Sequence, residues 1–505
     1  MKHWKKYVIF AGIFLAGMNI HNDKQLYAQN RITLTLDSAV EIAMGSSYSI
    51  KQLQLGIERN RYNLKARQAS LKSRVYMNLR VPEIEAVSDY KWNSTLKKDE
   101  IIKQNTQLLQ MDLSVRQPVV LLGYPTNGYL SLNNKMYQYI QRDGYKDVNY
   151  YNRYYVRYEQ PFFLPNSLKN DIEDAELDLE RRELEYIDDW VRQIDSIADD
   201  YYDLWDLTYR NLIYSRQEEN LQRVVEIAEA AAREDTERGI EKIQVQVECA
   251  NAQEMLLKNH ANIRMETMRI KQRLRMSDED SVCVEPEVKV TPVNVDMEQA
   301  IQYGFSLRPR LRMLSIDKRK NEINVSNAKG WDAFNVNLEM TYGLEKQDER
   351  YQEIWEDYHT YDNSYSMSLR AYVPIWDWGR RKYRIEAEKI GVKRTELNIE
   401  ENRNNIRSNI ANAVSNLIEY QQRVINLQSS LDMVQQITDV STQQYRENII
   451  TVQDILQIIT RQKDTELNFL DAYLGYRRSL ISLMMQTYYD YENDISLIDK
   501  FHSGS

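Results

Sequence analysis

The chain has 505 residues, of which 42% are hydrophobic and 28% charged, with only 15 Gly and 9 Pro. So few turn-forming residues argue against a string of loop-rich globular domains and favour long amphipathic helices. The net charge of -9 argues against nucleic acid as a partner, because phosphate binding needs a basic face.

The N-terminus has the layout of a secretory signal peptide. Basic residues precede an apolar run at residues 7–18, which is too short to span a membrane as a stable helix. Residues 26–28 resemble a cleavage site, so we predict that residues 1–28 are removed and that the mature chain is exported. An uncleaved membrane anchor is the alternative.

The first half of the mature chain changes its periodicity twice. Residues 36–80 have helical spacing and predict a helix that Pro82 ends. Residues 83–165 contain apolar–polar alternation, which is typical of strands with two different faces. Residues 166–237 contain neither Pro nor Gly and predict a helix of roughly 108 Å. Residues 240–276 predict a returning helix.

The same order of elements then recurs after an acidic linker at 277–295. Residues 296–330 predict a helix, and alternating segments follow within 331–374. A second long helix is predicted over 376–447 and a second returning helix over 449–487.

The sequence therefore predicts two structural repeats, 29–276 and 296–487, joined by the linker 277–295 and followed by a polar tail at 488–505. An internal repeat of matched length indicates pseudo-symmetric packing. Helices this long must pack lengthwise against parallel neighbours, as in coiled coils.

The two-faced strands indicate what such an exported chain could form. They fit a β-barrel with lipid outside and water inside, although a half-buried soluble sheet gives the same pattern. A solid fibrous rod is the alternative for the helices. The predicted strands of one chain are too few to close a barrel, so we predict a homo-oligomer.

Four segments, taken together in their order and spacing, resemble the TolC-type outer-membrane efflux proteins, and the resemblance covers about residues 32–487. They are residues 34–43, 308–311, 373–381 and 445–456. The resemblance implies a mainly α fold with a small β part, namely a two-repeat long-helix α-barrel plus transmembrane β-barrel strands, assembled as a homotrimer. It also implies four strands from each chain in a twelve-stranded barrel.

The implied function is that of the outer-membrane channel of a tripartite efflux or type I secretion system. Such a channel lies in the outer membrane, contacts its lipid and extends into the periplasm. Its implied partners are a periplasmic adaptor protein and an inner-membrane pump. A non-channel periplasmic coiled-coil scaffold is the alternative.

The resemblance also assigns roles at the closed end of the tunnel. Asp454 matches a carboxylate that three copies would place in a ring, and Gln457 replaces a second acid of that ring. Tyr445 matches a gate-closing tyrosine. For Asp454 the alternative is an ordinary solvated charge on a helix surface.

The turns between long and returning helices are predicted to contact the adaptor, and a plain helix C-cap is a compatible reading of Gly239 and Asn448. The predicted contact residues are Arg238, Gly239, Ile240, Glu447, Asn448 and Ile449.

One departure from the repeat lies in the first strand region, which is longer than its counterpart in the second repeat. We therefore predict an additional hairpin, around residues 118–140. A tyrosine cluster in the same region is predicted to form a girdle at the membrane interface, with ordinary sheet packing as the alternative. Its members are Tyr150, Tyr151, Tyr154, Tyr155 and Tyr158.

Motifs for other chemistry are missing from the sequence. Five His are scattered, and no P-loop, GxSxG or HExxH motif occurs. We therefore predict no enzyme activity, no cofactor and no metal site. Cys249 and Cys283 are predicted to lie too far apart for a disulfide.

Overall fold

The computed structural model describes residues 31–122, 124–143, 145–234, 239–356 and 358–504. The predicted signal peptide, residues 1–28, lies outside these ranges. The described chain is mainly helical with a smaller β part, as predicted. Across the same ranges, no helix combines the length and the apolar character that a membrane crossing requires.

The first repeat opens with short elements that lead into a sheet. They are β1 (Arg31–Thr33), α1 (Leu36–Ser46) and α2 (Tyr48–Ala69). The helix predicted over 36–80 is wrong beyond Ala69, because Val75, Met77 and Leu79 alternate with polar residues and belong to a strand. Pro82 lies inside that strand at a register irregularity, where a missing N–H is tolerated.

Six strands form one antiparallel sheet in the order β2-β3-β4-β5-β7-β8. The first repeat contributes β2 (Arg74–Asn93), β3 (Lys98–Leu121), β4 (Tyr124–Asp143) and β5 (Tyr145–Phe162). The second repeat contributes β7 (Asn335–Asp348) and β8 (Asp362–Tyr372). One chain thus contributes six strands to one sheet, two more than the four that the resemblance implies for the barrel.

The first repeat does contain an additional hairpin, but its predicted position around 118–140 is wrong. The pair β4–β5 leads into a long helix, as β7–β8 does in the second repeat. The additional hairpin is therefore β2–β3, which spans residues 74–121 and precedes the predicted position.

The long helices are α3 (Ser167–Glu234), of 68 residues, and α7 (Arg380–Arg446), of 67 residues. Shorter helices complete the two repeats: α4 (Gly239–Leu274), α5 (Met297–Ser306), α6 (Pro309–Gly330) and α8 (Val452–Thr487). Between the repeats, β6 (Ser281–Cys283) pairs in parallel with β1. Cys249 is buried and Cys283 is partly exposed, and neither forms a disulfide.

The helices pack as a slab one layer thick. In its half beside the sheet the order across the slab is α2-α3-α6-α7, and in the other half it is α4-α3-α8-α7. The long helices α3 and α7 thus run through both halves. One lateral edge of the slab consists of α2 and α4, and the other edge consists of α7.

Residues after 487 fold back onto the slab. They form β9 (Tyr489–Asp490), β10 (Ile495–Ser496) and α9 (Leu497–Gly504). The ring of Phe501 lies 5.3 Å from that of Tyr186 and 5.5 Å from that of Trp190, both on α3. Leu497 is buried beneath the hairpin. The predicted polar tail is therefore an ordered part of the fold.

Replacing Gly304 of α5 by Ala is expected to destabilise the packing of α5 on α7. A Cβ at Gly304 would lie 2.3 Å from Cδ1 of the fully buried Ile410 and 3.2 Å from Cγ2 of the buried Ile406. Overpacking of this kind costs about 1–3 kcal/mol. The thermal unfolding midpoint checks the prediction, with Gly45→Ala as the control, because no atom lies within 4 Å of a Cβ there.

Candidate functional site

The six-stranded sheet has one mainly apolar face. Residues of one row are directly opposite one another on successive strands, and every strand contributes an apolar side chain. The row consists of Val75, Val115, Leu132, Val156, Tyr342 and Tyr365.

Much of this apolar face is exposed in the single chain. On β8, Tyr365 is 86% exposed, Met367 70% and Leu369 67%. An exposed apolar surface that extends across a whole sheet marks contact with lipid or with another protein.

The opposite face of the sheet is charged, and its charges are paired across strands. Glu159 accepts from Arg116 at 3.2 Å, and Glu339 lies 3.5 Å from Arg157 and 3.7 Å from Arg370. These contacts join β3, β5, β7 and β8 on one side of the sheet. A sheet with a charged face and an apolar face suits a boundary between water and hydrocarbon.

The height of the apolar band can be read along β5. Apart from the buried Gln160, the band runs from Phe162 to Asn152, ten residues away. Asn152 is fully buried and donates to Tyr361 at 3.1 Å. Ten residues span about 33 Å along a strand, or about 25 Å for a strand tilted by about 40°. Transmembrane barrels have an apolar band of this height.

The tyrosine cluster is divided between the two faces. The alternation along β5 puts Tyr150, Tyr154 and Tyr158 on the apolar face with Val156. It puts Tyr151 and Tyr155 on the charged face, where Tyr151 donates to Glu345 at 2.5 Å. Only the first three have the position that a girdle requires.

Both lateral edges of the helix slab carry exposed apolar stripes. On α7 most stripe members recur at intervals of seven residues, as in a coiled-coil seam. The α7 stripe consists of Tyr383, Ile390, Leu397, Ile418 and Ile425. The opposite edge carries Tyr48, Leu55 and Tyr62 on α2, and Ile240, Ile243, Val247, Leu257 and Met265 on α4.

At the far end of the slab, the four helices of that half share a small core. Tyr445 of α7 is 1% exposed and packs there against Val452 and Ile455 of α8 and Leu221 of α3. The predicted gate tyrosine therefore lies inside the tip of its own chain.

Asp454 is exposed and closes a capping box at the start of α8. Its carboxylate accepts from the Thr451 hydroxyl at 2.6 Å and from the Thr451 N–H at 3.0 Å. These hydrogen bonds lower the pKa of Asp454, so the carboxylate is ionised at neutral pH. Gln457 is exposed one turn further along the same helix.

The turn residues differ in backbone conformation. Asn448 has φ 58°, and its N–H donates to the Tyr445 carbonyl at 3.1 Å, which closes the end of α7. Gly239 is the first residue of α4 and is not in the left-handed region. Ile240 and Ile449 are exposed, whereas Arg238 lies outside the described residues.

A polar cluster between α3 and α8 was not predicted from the sequence. Arg216 lies 2.8 Å from Glu466, whose side chain is buried, and Asn220 donates to Gln462 at 3.1 Å. Gln462 in turn donates to Gln435 of α7 at 2.8 Å. In the sequence, the cluster could have been found from the polar residues that interrupt the apolar stripe of α8.

Several solved structures of outer-membrane proteins have this architecture. CusC, studied for its transmembrane channel formation, is 11% identical with a TM-score of 0.64, over 92% of this chain and 95% of its own. The CmeC outer-membrane channel of Campylobacter jejuni is 12% identical with a TM-score of 0.64, over 98% and 97%. VceC, an outer-membrane protein of Vibrio cholerae, is 12% identical with a TM-score of 0.64, over 90% and 95%.

The chain thus has the fold of outer-membrane channel proteins. Residues 307–486 match the family model of the outer membrane efflux proteins. This match agrees with the predicted resemblance to the TolC-type outer-membrane efflux proteins. No curated protein matches the sequence.

Proposed function

We propose that three copies of the chain form an outer-membrane channel that serves as a passive exit duct. The observation that carries this proposal is the sheet with one apolar and one charged face, whose apolar band has the height of a bilayer core. In the channel the apolar face contacts outer-membrane lipid, and the charged face lines a water-filled lumen.

The edges of the helix slab support assembly into a tunnel. The α7 stripe of one copy packs on the α2 and α4 stripes of the next copy, which buries apolar surface that one chain leaves exposed. Three slabs, each four helices wide, close a tunnel that extends from the membrane into the periplasm. The resemblance to the TolC-type family supports three copies.

The far tips are the proposed docking surface for the periplasmic adaptor, through which an inner-membrane pump delivers substrate. Exposed apolar side chains there support a protein contact. The proposed contact residues remain Arg238, Gly239, Ile240, Glu447, Asn448 and Ile449. For the membrane girdle, we retain Tyr150, Tyr154 and Tyr158, because they share the apolar face.

Membrane extraction and conductance test the proposed function together. We expect the protein to sediment with outer membranes, to resist carbonate extraction, and to give discrete current steps in a planar bilayer. Release by carbonate without any conductance would contradict the channel and favour the scaffold.

The tip carboxylates provide a finer test. Replacing Asp454 by Asn is expected to weaken the block of single-channel current by multivalent cations at least tenfold, because a ring of three charges disappears while an oxygen that can accept the cap hydrogen bonds remains. The lowered pKa predicts that the block persists at neutral pH and is lost as pH falls through that lowered value.

Thr451→Ala is the matched control for this substitution. It removes the hydroxyl from the cap but retains the charge of Asp454, and losing such a cap costs about 1 kcal/mol. Unchanged cation block in Asp454→Asn would exclude Asp454 from the pore. Equal loss of block in both variants would show that helix capping, rather than charge, is responsible.

A further inference from the structure

We propose that all six strands of each copy enter the membrane, and that β8 of one copy pairs with β2 of the next to close an eighteen-stranded barrel. This inference rests on the trimer of the proposed function. It identifies the sheet-edge surface through which the copies meet, and the partner of that surface is a second copy of this chain.

The additional hairpin β2–β3 is part of the two-faced sheet. The apolar residues Val75, Met77 and Leu79 of β2 are partners of Val115, Leu113 and Met111 of β3. The row through Val75 continues across all six strands with an apolar side chain at every position. The hairpin therefore has the same lipid-compatible face as the other four strands.

A barrel of only four strands per copy lacks a place to close. It would need a free edge on β4, but β4 is paired with β3 from Tyr124 to Arg142 and with β5 from Tyr129 to Asp143. Excluding β2–β3 from the barrel would break the whole ladder between β3 and β4. In that arrangement β8 of the next copy would replace those hydrogen bonds on β4, but β3 would lose them without gaining a new partner strand.

The free edges of the sheet coincide with the free edges of the helix slab. Among the described strands, β2 and β8 each have one side with no neighbouring strand. The edge strand β2 follows directly after the edge helix α2, and β8 leads directly into the edge helix α7. When α7 of one copy packs on α2 of the next, β8 and β2 come to lie side by side.

The directions of the two strands suit this pairing. β2 runs away from the helix slab and β8 runs toward it, so they are antiparallel when placed together. Six antiparallel strands from each copy give an even-numbered barrel without free edges, as a membrane barrel requires. With a strand spacing of about 4.8 Å and a tilt of about 40°, its backbone diameter is about 36 Å, against about 24 Å for twelve strands.

Cysteine cross-linking between copies tests the closure. Ser366 lies on the charged face of β8, and Tyr76, Asn78 and Arg80 lie on the same face of β2. Three double variants combine Ser366→Cys with Tyr76→Cys, Asn78→Cys or Arg80→Cys, which covers three registers. Within one chain β2 and β8 are five strands, or about 24 Å, apart, so any bond that forms links two copies.

We expect oxidation of at least one double variant in outer membranes to give covalent dimers and trimers on a denaturing gel. Ser366→Cys alone should give none. A further double variant joins Ser366→Cys with Asn133→Cys on β4, which is three strands away within the chain. Cross-linking through β4, or through neither strand in a protein that still forms trimers, would overturn the eighteen-stranded closure.

The diameter of the barrel gives an independent measurement. Averaged end-on images of the channel in lipid nanodiscs should show a backbone ring of about 36 Å, and a ring of about 24 Å would overturn the closure while leaving the channel in place. A protein that never forms trimers would instead contradict the proposed function itself, and the closure with it.

Discussion

Replacing Leu397 and Ile418 of α7 by Asp together is expected to abolish assembly into trimers while leaving the individual chain folded. Both side chains belong to the α7 stripe, and they are 66% and 59% exposed in the single chain. Burying such a side chain contributes about 1.5–3 kcal/mol, and the stripe is buried once at each of three interfaces. The two Asp residues would also bring unpaired carboxylates into that interface.

Size-exclusion chromatography with light scattering in detergent measures the outcome, and circular dichroism checks that the helices remain. Asn405→Asp with Asn409→Asp is the matched control, because it adds the same two charges to exposed positions of α7 away from the stripe. The control should remain trimeric. A trimer of normal stability in the stripe variant would exclude α7 as the contact between copies, and the helical tunnel would lose its main support.

The repeats and long helices could be predicted because their signals are local. The 3.6-residue period and the lack of Pro from 166 to 237 determine a helix whatever the rest of the chain does. The heptad-like stripe on α7 is local information too, since it repeats along one helix. What the exposed α7 stripe packs against was not readable, because its proposed partner belongs to another copy.

The end of the first helix was mispredicted for an identifiable reason. Val75, Met77 and Leu79 alternate clearly, but they follow directly on a helical segment, and Pro82 seemed to mark the end of that helix. In the structure, Pro82 lies on the edge strand at a register shift, where a ladder can tolerate proline. Which strand lies at the edge depends on the order of the strands in the sheet, and the sequence pattern does not show that order.

The tip residues Tyr445 and Asp454 show that a role assigned from a family resemblance can leave a structural role unnoticed. The spacing of Thr451 and Asp454 is a local capping signature, and the structure contains that cap. Tyr445 is enclosed by side chains from α3, α4 and α8, which are distant in sequence. Neither observation conflicts with a role in the pore, but both add a structural role that the resemblance did not indicate.

The polar cluster between α3 and α8 leads to the second large prediction. Replacing Arg216 by Ala is expected to lower the stability of the helix slab by about 1–3 kcal/mol. The buried carboxylate of Glu466 loses its cation, but the Arg216 side chain is itself half exposed. Arg216 and Glu466 are 250 residues apart in sequence, so no local pattern could have paired them. The thermal or guanidinium unfolding midpoint of the trimer in detergent measures the loss.

Arg223→Ala is the matched control, since Arg223 lies two turns further along α3 and pairs with Glu219 at 3.7 Å in solvent. Exposed pairs contribute about 0–1 kcal/mol, so its midpoint should hardly change. Adding Glu466→Gln to Arg216→Ala should recover most of the stability, because the amide removes the buried charge and retains an oxygen for Gln462. If the double variant is no more stable than Arg216→Ala, the loss comes from packing of the arginine stem and not from an unpaired carboxylate.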